Sequence, residues 1–205
     1  MESLYERYPQ LEACRKDISE AYGILCNSFA SGGKLLIAGN GGSASDAEHI
    51  VGELMKGFLK PRHVPESLEQ ALMEADSELG PVLGKRLQGA LPAIALDGEI
   101  ALSTAFQNDV DPQLCFAQQV LGYGKAGDVF LGISTSGNSR NVVYAAVTAR
   151  AMGMKVIGLT GASESRLSKI TDVCIRVPET ETYKVQELHL PVYHALCLML
   201  EERFF

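Results

Sequence analysis

Two imidazoles, a carboxylate and a primary amide have the types and spacing for acid–base chemistry or metal ligation. His49 and Glu53 lie four residues apart in a segment of helical periodicity, so both project from one helical face. Gln186, Glu187, His189 and His194 fall in a second such segment near the C-terminus. On a regular helix Gln186 and His194 lie about 12 Å apart along the axis. They meet at one point only if their side chains converge or the chain leaves the helix near Pro191. His189 points elsewhere and reads as structural, and a lone histidine on an apolar helix face is usually a hydrogen-bonded core residue. The four polar groups His49, Glu53, Gln186 and His194 carry weight only jointly.

Each group needs an element to position it. The stretch KLLIAGNGGSASDAEHIVGE, Lys34 to Glu53, reads as strand, tight turn and helix: an apolar run at Leu35–Ala38, then Gly39, Asn40, Gly41 and Gly42, then helical spacing. Glycines let the backbone turn sharply and aim free N–H groups of the new helix at an anion; alternatively they only permit close helix–strand packing. Ser43 or Ser45 is expected to cap the helix. The spacing is neither G-x-x-x-x-G-K-[ST] nor G-x-G-x-x-G, so no nucleotide cofactor is expected.

A second turn follows another apolar run: DVFLGI leads straight into Ser134-Thr135-Ser136-Gly137-Asn138-Ser139, and Val142 to Met152 is then helical. Hydroxyls and backbone N–H groups without a basic residue suit a phosphate monoester carried by the substrate. The competing reading, a Ser/Thr turn with capping roles, explains less because two such turns coincide. Further strands are expected at Ala93–Leu96, Lys155–Leu159 and Val173–Val177, and helices at Leu11–Ala30, Glu99–Phe106, Leu114–Leu121 and from about Lys184 onward. Near-continuous apolar strands alternating with helices predict an α/β fold: a doubly wound, five-stranded parallel sheet with helices on both faces, flavodoxin-like or Rossmann-like. Ligands of such sheets bind beyond the carboxyl ends of the strands, where both turns fall.

The 205 residues suffice for one core, and a single domain is expected over 1–205, with an N-terminal helical segment at about 1–31. Lys60 to Leu91, broken by Pro61, Pro65 and Pro81 around a helical patch at Glu66–Leu79, reads as a peripheral excursion. The net charge of −7 and absence of a basic stripe exclude a nucleic-acid surface or an anionic membrane surface. Five cysteines without C-x-x-C spacing read as reduced residues of a cytoplasmic protein, and the polar N-terminus predicts no signal peptide.

Three motifs in register, GNGGSASDAEHIVGE, ISTSGNS and VQELHLPVYH, resemble those of the SIS (sugar isomerase) domain family, and within it the phosphoheptose isomerase group. The resemblance covers nearly the whole chain outside Lys60–Leu91. It implies a phosphosugar aldose–ketose isomerase converting sedoheptulose 7-phosphate to D-glycero-D-manno-heptose 7-phosphate through an enediol, as a homotetramer with shared sites. By the same resemblance Glu53 and His194 form the acid–base pair. Asn40, Gly41, Gly42, Asn108, Asp109 and Gln186 contact the sugar, and Ser134, Thr135, Ser136 and Ser139 hold the phosphate. His49, Glu53, Gln186 and His194 match positions that bind zinc in some members, the ligand and base roles of Glu53 being alternatives within the cycle. The competing implication is a non-catalytic SIS adaptor, such as the type that associates with a replication initiator, or a sugar-phosphate binder. The presence of Glu53 and His194 favours the enzyme. The chain departs from the group in the length of Lys60–Leu91 and in Lys184, where an arginine is expected.

Overall fold

The three central strands of the sheet bury every or nearly every residue they carry, which is why their sequences run apolar without alternation. The computed structural model describes residues 2–205. Its elements, in chain order, are α1 (Glu2–Arg7), a 3-10 turn (Pro9–Cys14), α2 (Arg15–Ala30), β1 (Leu35–Ala38), α3 (Gly42–Met55), α4 (Glu66–Ala75), α5 (Gly80–Arg86), β2 (Ala93–Ala95) and α6 (Ile100–Asp109). After a second 3-10 turn (Pro112–Leu114) come α7 (Cys115–Tyr123), β3 (Val129–Ile133), α8 (Arg140–Ala151), β4 (Lys155–Thr160), α9 (Arg166–Ile170), β5 (Val173–Arg176) and α10 (Thr182–Phe204).

All pairings are parallel and the strand order is β2-β1-β3-β4-β5. That is the flavodoxin-like order, with its switch point between β1 and β3. Alternate residues face opposite sides. Leu35, Ile37, Leu131 and Ile157 join a core with α2, α3 and α10, while Leu36, Ala38, Phe130 and Val156 join one with α7 and α8. The buried Asp128 aligns the entry to the central strands, accepting from the backbone N–H groups of Lys34 (3.0 Å) and Lys125 (2.9 Å) and from the Lys34 ammonium.

Several local expectations are corrected. Neither Ser43 nor Ser45 caps α3: the N-cap is Gly41, in a left-handed conformation (φ 56°), with no side-chain cap, and Ser43 is buried inside the first turn. The patch at Glu66–Leu79 is a helix that stops at Ala75, because the Asp76 carboxylate accepts from the N–H groups of Glu78 and Leu79 and turns the chain into α5. The helix expected from Leu11 begins as a 3-10 turn, and α10 runs unbroken through Pro191. The helices α1, α5 and α9 are short, and periodicity over so few residues does not reveal them.

His189 is fully buried on α10 and neither ring nitrogen has a well-formed hydrogen bond. Burial pushes its pKa down to about 4, with a Thr160 backbone group acting the other way. The unfolded chain therefore takes up a proton below about pH 6.5 that the folded chain refuses until about pH 4. Stability falls across that window as pH falls, by about 3 kcal/mol in all. Replacing His189 by leucine, of similar volume, should flatten this acid limb; urea midpoints at pH 7 and pH 4.5 test it, and an equal fall in both proteins would assign the limb to other groups.

Candidate functional site

Packing α10 along α3 in the same direction carries out the juxtaposition that the sequence left open. At the start of α3, Gly42 lies against the Gln186 amide so closely that a Cβ there would stand 2.5 Å from Nε2. About two turns further along each helix, His49 and His194 meet edge to face with ring centroids 5.0 Å apart. Gln186 and His194 thus occupy successive levels of one helix–helix seam, as their separation along α10 requires.

His49 sits in a continuous chain of polar contacts. The Tyr193 hydroxyl donates to Asp46 Oδ1 (3.2 Å), so its oxygen faces His49 Nδ1 (3.0 Å) as acceptor, and that nitrogen carries the proton. His49 Nε2 then faces Glu53 Oε1 at 3.3 Å, a contact that one proton on either atom completes. The other Glu53 oxygen takes the Lys56 ammonium at 3.0 Å. Tyr193 is 1% exposed, and burial together with the Asp46 carboxylate pushes its pKa up, keeping the hydroxyl protonated. Burial likewise raises Asp46, opposed by the Tyr193 hydrogen bond.

His194 is held below its ordinary pKa, first by burial and then by the charges of His49 and Arg7, with Glu53 acting in the opposite sense. It is therefore neutral at pH 7. Its Nε2 is buried with no hydrogen-bond partner. The ring borders a cavity of about 330 Å³ that Arg7 and Tyr8 also line. A desolvated, unpartnered imidazole nitrogen beside a carboxylate is what proton transfer asks of a site.

The two turns lie at the carboxyl edge of β1 and β3. Their register pairs Ala38 with Gly132, so two residues further on Asn40 comes level with Ser134. The Asn40 and Asn141 amides bond reciprocally across the gap, at 3.0 and 2.8 Å. Asn40 and Asn141 line a cavity of about 280 Å³ with Gly41, Asp97 and Gln107. In the serine turn, the Ser134 and Ser139 hydroxyls are 3.0 Å apart, Ser136 is exposed, and Thr135 lends its carbonyl to the Gly161 N–H. The turn opens the twelve-residue α8, whose first N–H groups have no intrahelical partners. Asn108 and Asp109 are instead exposed at the end of α6, hydrogen-bonded to each other at 2.8 Å.

Among the described residues no three His, Cys, Asp or Glu side chains are grouped to hold a metal ion. His49, Glu53 and His194 offer suitable donor types. However, His49 Nε2 is directed at Glu53 and Gln186 lies at the Gly42 level, so within one chain the four do not form a metal site as arranged.

Comparison with known proteins agrees with this architecture. The SIS domain family model matches residues 2–161. A phosphoheptose isomerase of Rhodospirillum rubrum is 38% identical over 193 residues, covering 94% of this chain and 89% of the relative. The chain belongs to the SIS domain family, among the phosphoheptose isomerases. Its backbone superimposes on the phosphoheptose isomerase structures of Francisella tularensis (31% identical, TM-score 0.75, covering 98% of this chain and 94% of that one) and Neisseria gonorrhoeae (29%, 0.73, 98% of both).

Sequence reasoning missed Asp46, Tyr193, Lys56 and Asn141. Asp46 lies one turn before His49 and Tyr193 beside His194, but only the α3–α10 seam makes them partners. Phenylalanine at position 193 keeps the ring and removes the oxygen between Asp46 and His49. The Tyr193→Phe variant should lose about 1 kcal/mol of stability and, with the His49 tautomer no longer fixed, about tenfold in kcat at unchanged KM. Steady-state kinetics on sedoheptulose 7-phosphate give the answer; an unchanged kcat would show that Glu53 alone orients His49.

Proposed function

We propose that this protein interconverts sedoheptulose 7-phosphate and D-glycero-D-manno-heptose 7-phosphate, with Glu53 and His194 dividing the proton transfers. The observation that carries this assignment is the meeting of Glu53, His49 and the unpartnered His194 nitrogen on one helix–helix seam that begins at the glycine turn.

In this reading the hydroxyls and N–H groups of Ser134, Thr135, Ser136 and Ser139 hold the phosphate with the help of the α8 N-terminus. Asn40, Gly41, Gly42, Gln186, Asn108 and Asp109 orient the sugar chain. Glu53 takes a proton from C1 of the ketose while the imidazole of His194 gives one to the oxygen on C2, yielding a neutral enediol. Glu53 then returns its proton to C2 and the His194 imidazolate takes the one on O1, leaving the aldehyde at C1 and both residues in their starting states. Because burial lowers its pKa, His194 rests neutral, and the proton it gives is its ring N–H.

The reading extends to zinc, which would polarise the substrate carbonyl as a Lewis acid. Its support is donor chemistry, the imidazoles of His49 and His194, the Glu53 carboxylate and the Gln186 amide oxygen. Glu53 and Gln186 would have to reorient, and the proton steps above use none of it. No nucleotide cofactor enters the scheme. A cytoplasmic homotetramer with shared sites is also part of the reading. Its support is that α6 buries no residue within the chain, while Ile100 at its start and Val110, which follows Asn108 and Asp109 at its end, are 75% and 62% exposed. Residues 1–205 would act as one SIS domain, with 1–31 as its N-terminal helices and 60–91 as an insertion. No described helix is long and apolar enough to cross a membrane.

Incubation with sedoheptulose 7-phosphate in deuterated water, followed by NMR, should yield aldose labelled at C2. Glu53→Gln and His194→Ala should each lose at least about a hundredfold in kcat while still binding the sugar phosphate. Wild-type protein that binds the sugar but forms neither aldose nor label would return the protein to the class of binders. Metal analysis of the purified protein, and turnover after chelation, decide zinc.

A further inference from the structure

The last turn of α3, which carries Glu53, ends at Met55 and leaves carbonyl groups without intrahelical partners. Those of Glu53 and Leu54 are taken by one guanidinium: Arg62 Nη2 donates to the Glu53 carbonyl (2.9 Å) and Nη1 to that of Leu54 (2.7 Å). Arg62 Nε donates in turn to Glu201 Oε1 (2.8 Å), on α10. The remaining capacity of the Glu201 carboxylate is filled by the N–H groups of Phe58 (2.7 Å), Leu59 (2.8 Å) and Lys60 (3.2 Å). Arg62 and Glu201 are each 2% exposed. The Phe205 ring lies under the guanidinium, its centroid 4.6 Å away.

The same brace closes the stem of the excursion. Gly89 N–H donates to the Arg62 carbonyl (2.8 Å), Leu91 N–H to that of Leu54 (3.0 Å), and Gly57 N–H to the Gln88 side chain (2.6 Å). The helices α4 and α5 therefore hang outside a closed ring, and the ring fixes the end of α3. His194 lies seven residues before Glu201 on α10, about 10 Å along the axis. Neither Arg62 nor Glu201 presents its charged group to the His49–His194 seam.

We propose that Arg62 and Glu201 are positioning residues: a buried cross-brace that sets the helix end bearing Glu53 against the helix bearing His194. This rests on the assignment of those two residues to proton transfer. Its physical basis is the sensitivity of proton transfer to placement, since an error of about 1 Å can cost about a hundredfold in rate. A fully hydrogen-bonded buried ion pair specifies one geometry, which an apolar pair does not.

The test is Glu201→Gln, which keeps the shape and removes the charge, and a double variant, Arg62→Met with Glu201→Leu, which removes both charges and restores an apolar contact. Each is measured for kcat and KM with sedoheptulose 7-phosphate and for Tm. A positioning role predicts folded proteins with kcat lowered tenfold to a hundredfold and KM within twofold, because the serine turn is level with the start of α3 and the brace holds its far end. If Glu201→Gln does not fold, the double variant decides. A wild-type kcat in the folded variant, with only Tm changed, would overturn the proposal. An inactive wild-type protein would instead overturn the acid–base assignment, and the brace's role with it.

Discussion

The ladder between β1 and β3 is the constraint on which the rest depends. These two strands are adjacent in the sheet though some ninety residues apart in the chain, and the chain departs from them in opposite directions, to β2 on one side and β4 on the other. At such a switch point the two following turns splay apart and leave a crevice. Both strands must end level for the crevice to have two walls. The register does this, and the reciprocal bonds of Asn40 and Asn141 hold the walls at one spacing. A one-residue slip would exchange the two core faces and misplace the serine turn together.

The second contact of consequence is the seam between α3 and α10. The two helices run in the same direction, so equal steps along each stay in register: Gln186 by Gly42, Tyr193 by Asp46 and His49, Glu201 by the chain leaving α3. Polar groups are spaced along an otherwise apolar contact: Tyr193 bridges Asp46 and His49, Glu201 takes the N–H groups of the chain leaving α3, and His194 Nε2 has no partner. A buried acceptor or donor without a partner costs free energy in the empty protein.

The segment at 60–91 is closed off from the body at its stem. Its ends are joined to each other and to α10 before its own helices begin, and α4 buries none of its residues against the body. Leu68, Met73, Val82 and Leu83 consequently remain exposed on it. Length was visible in the sequence; closure at the stem was not, because it rests on Arg62 meeting Glu201 from 139 residues away.

The sequence by itself determined the sheet, since five short apolar runs separated by helical segments indicate parallel strands joined by crossovers, two of them ending in the glycine- and serine-rich turns. It determined too that His49 and Glu53 share a helix face, because helical spacing is local. It misjudged the cap of α3, where the sharpness of the turn demanded glycine rather than serine, and it was silent on Asp46, Tyr193, Asn141 and Arg62. Each of these acts through a partner distant in the chain, and partners of that kind are chosen by packing, not by periodicity. Only the tertiary structure decided which end of α10 meets which end of α3, and so that Gln186 lies by the turn while His194 lies by His49: helix geometry fixes their separation, but burial of the shared apolar face fixes where along α3 each one falls.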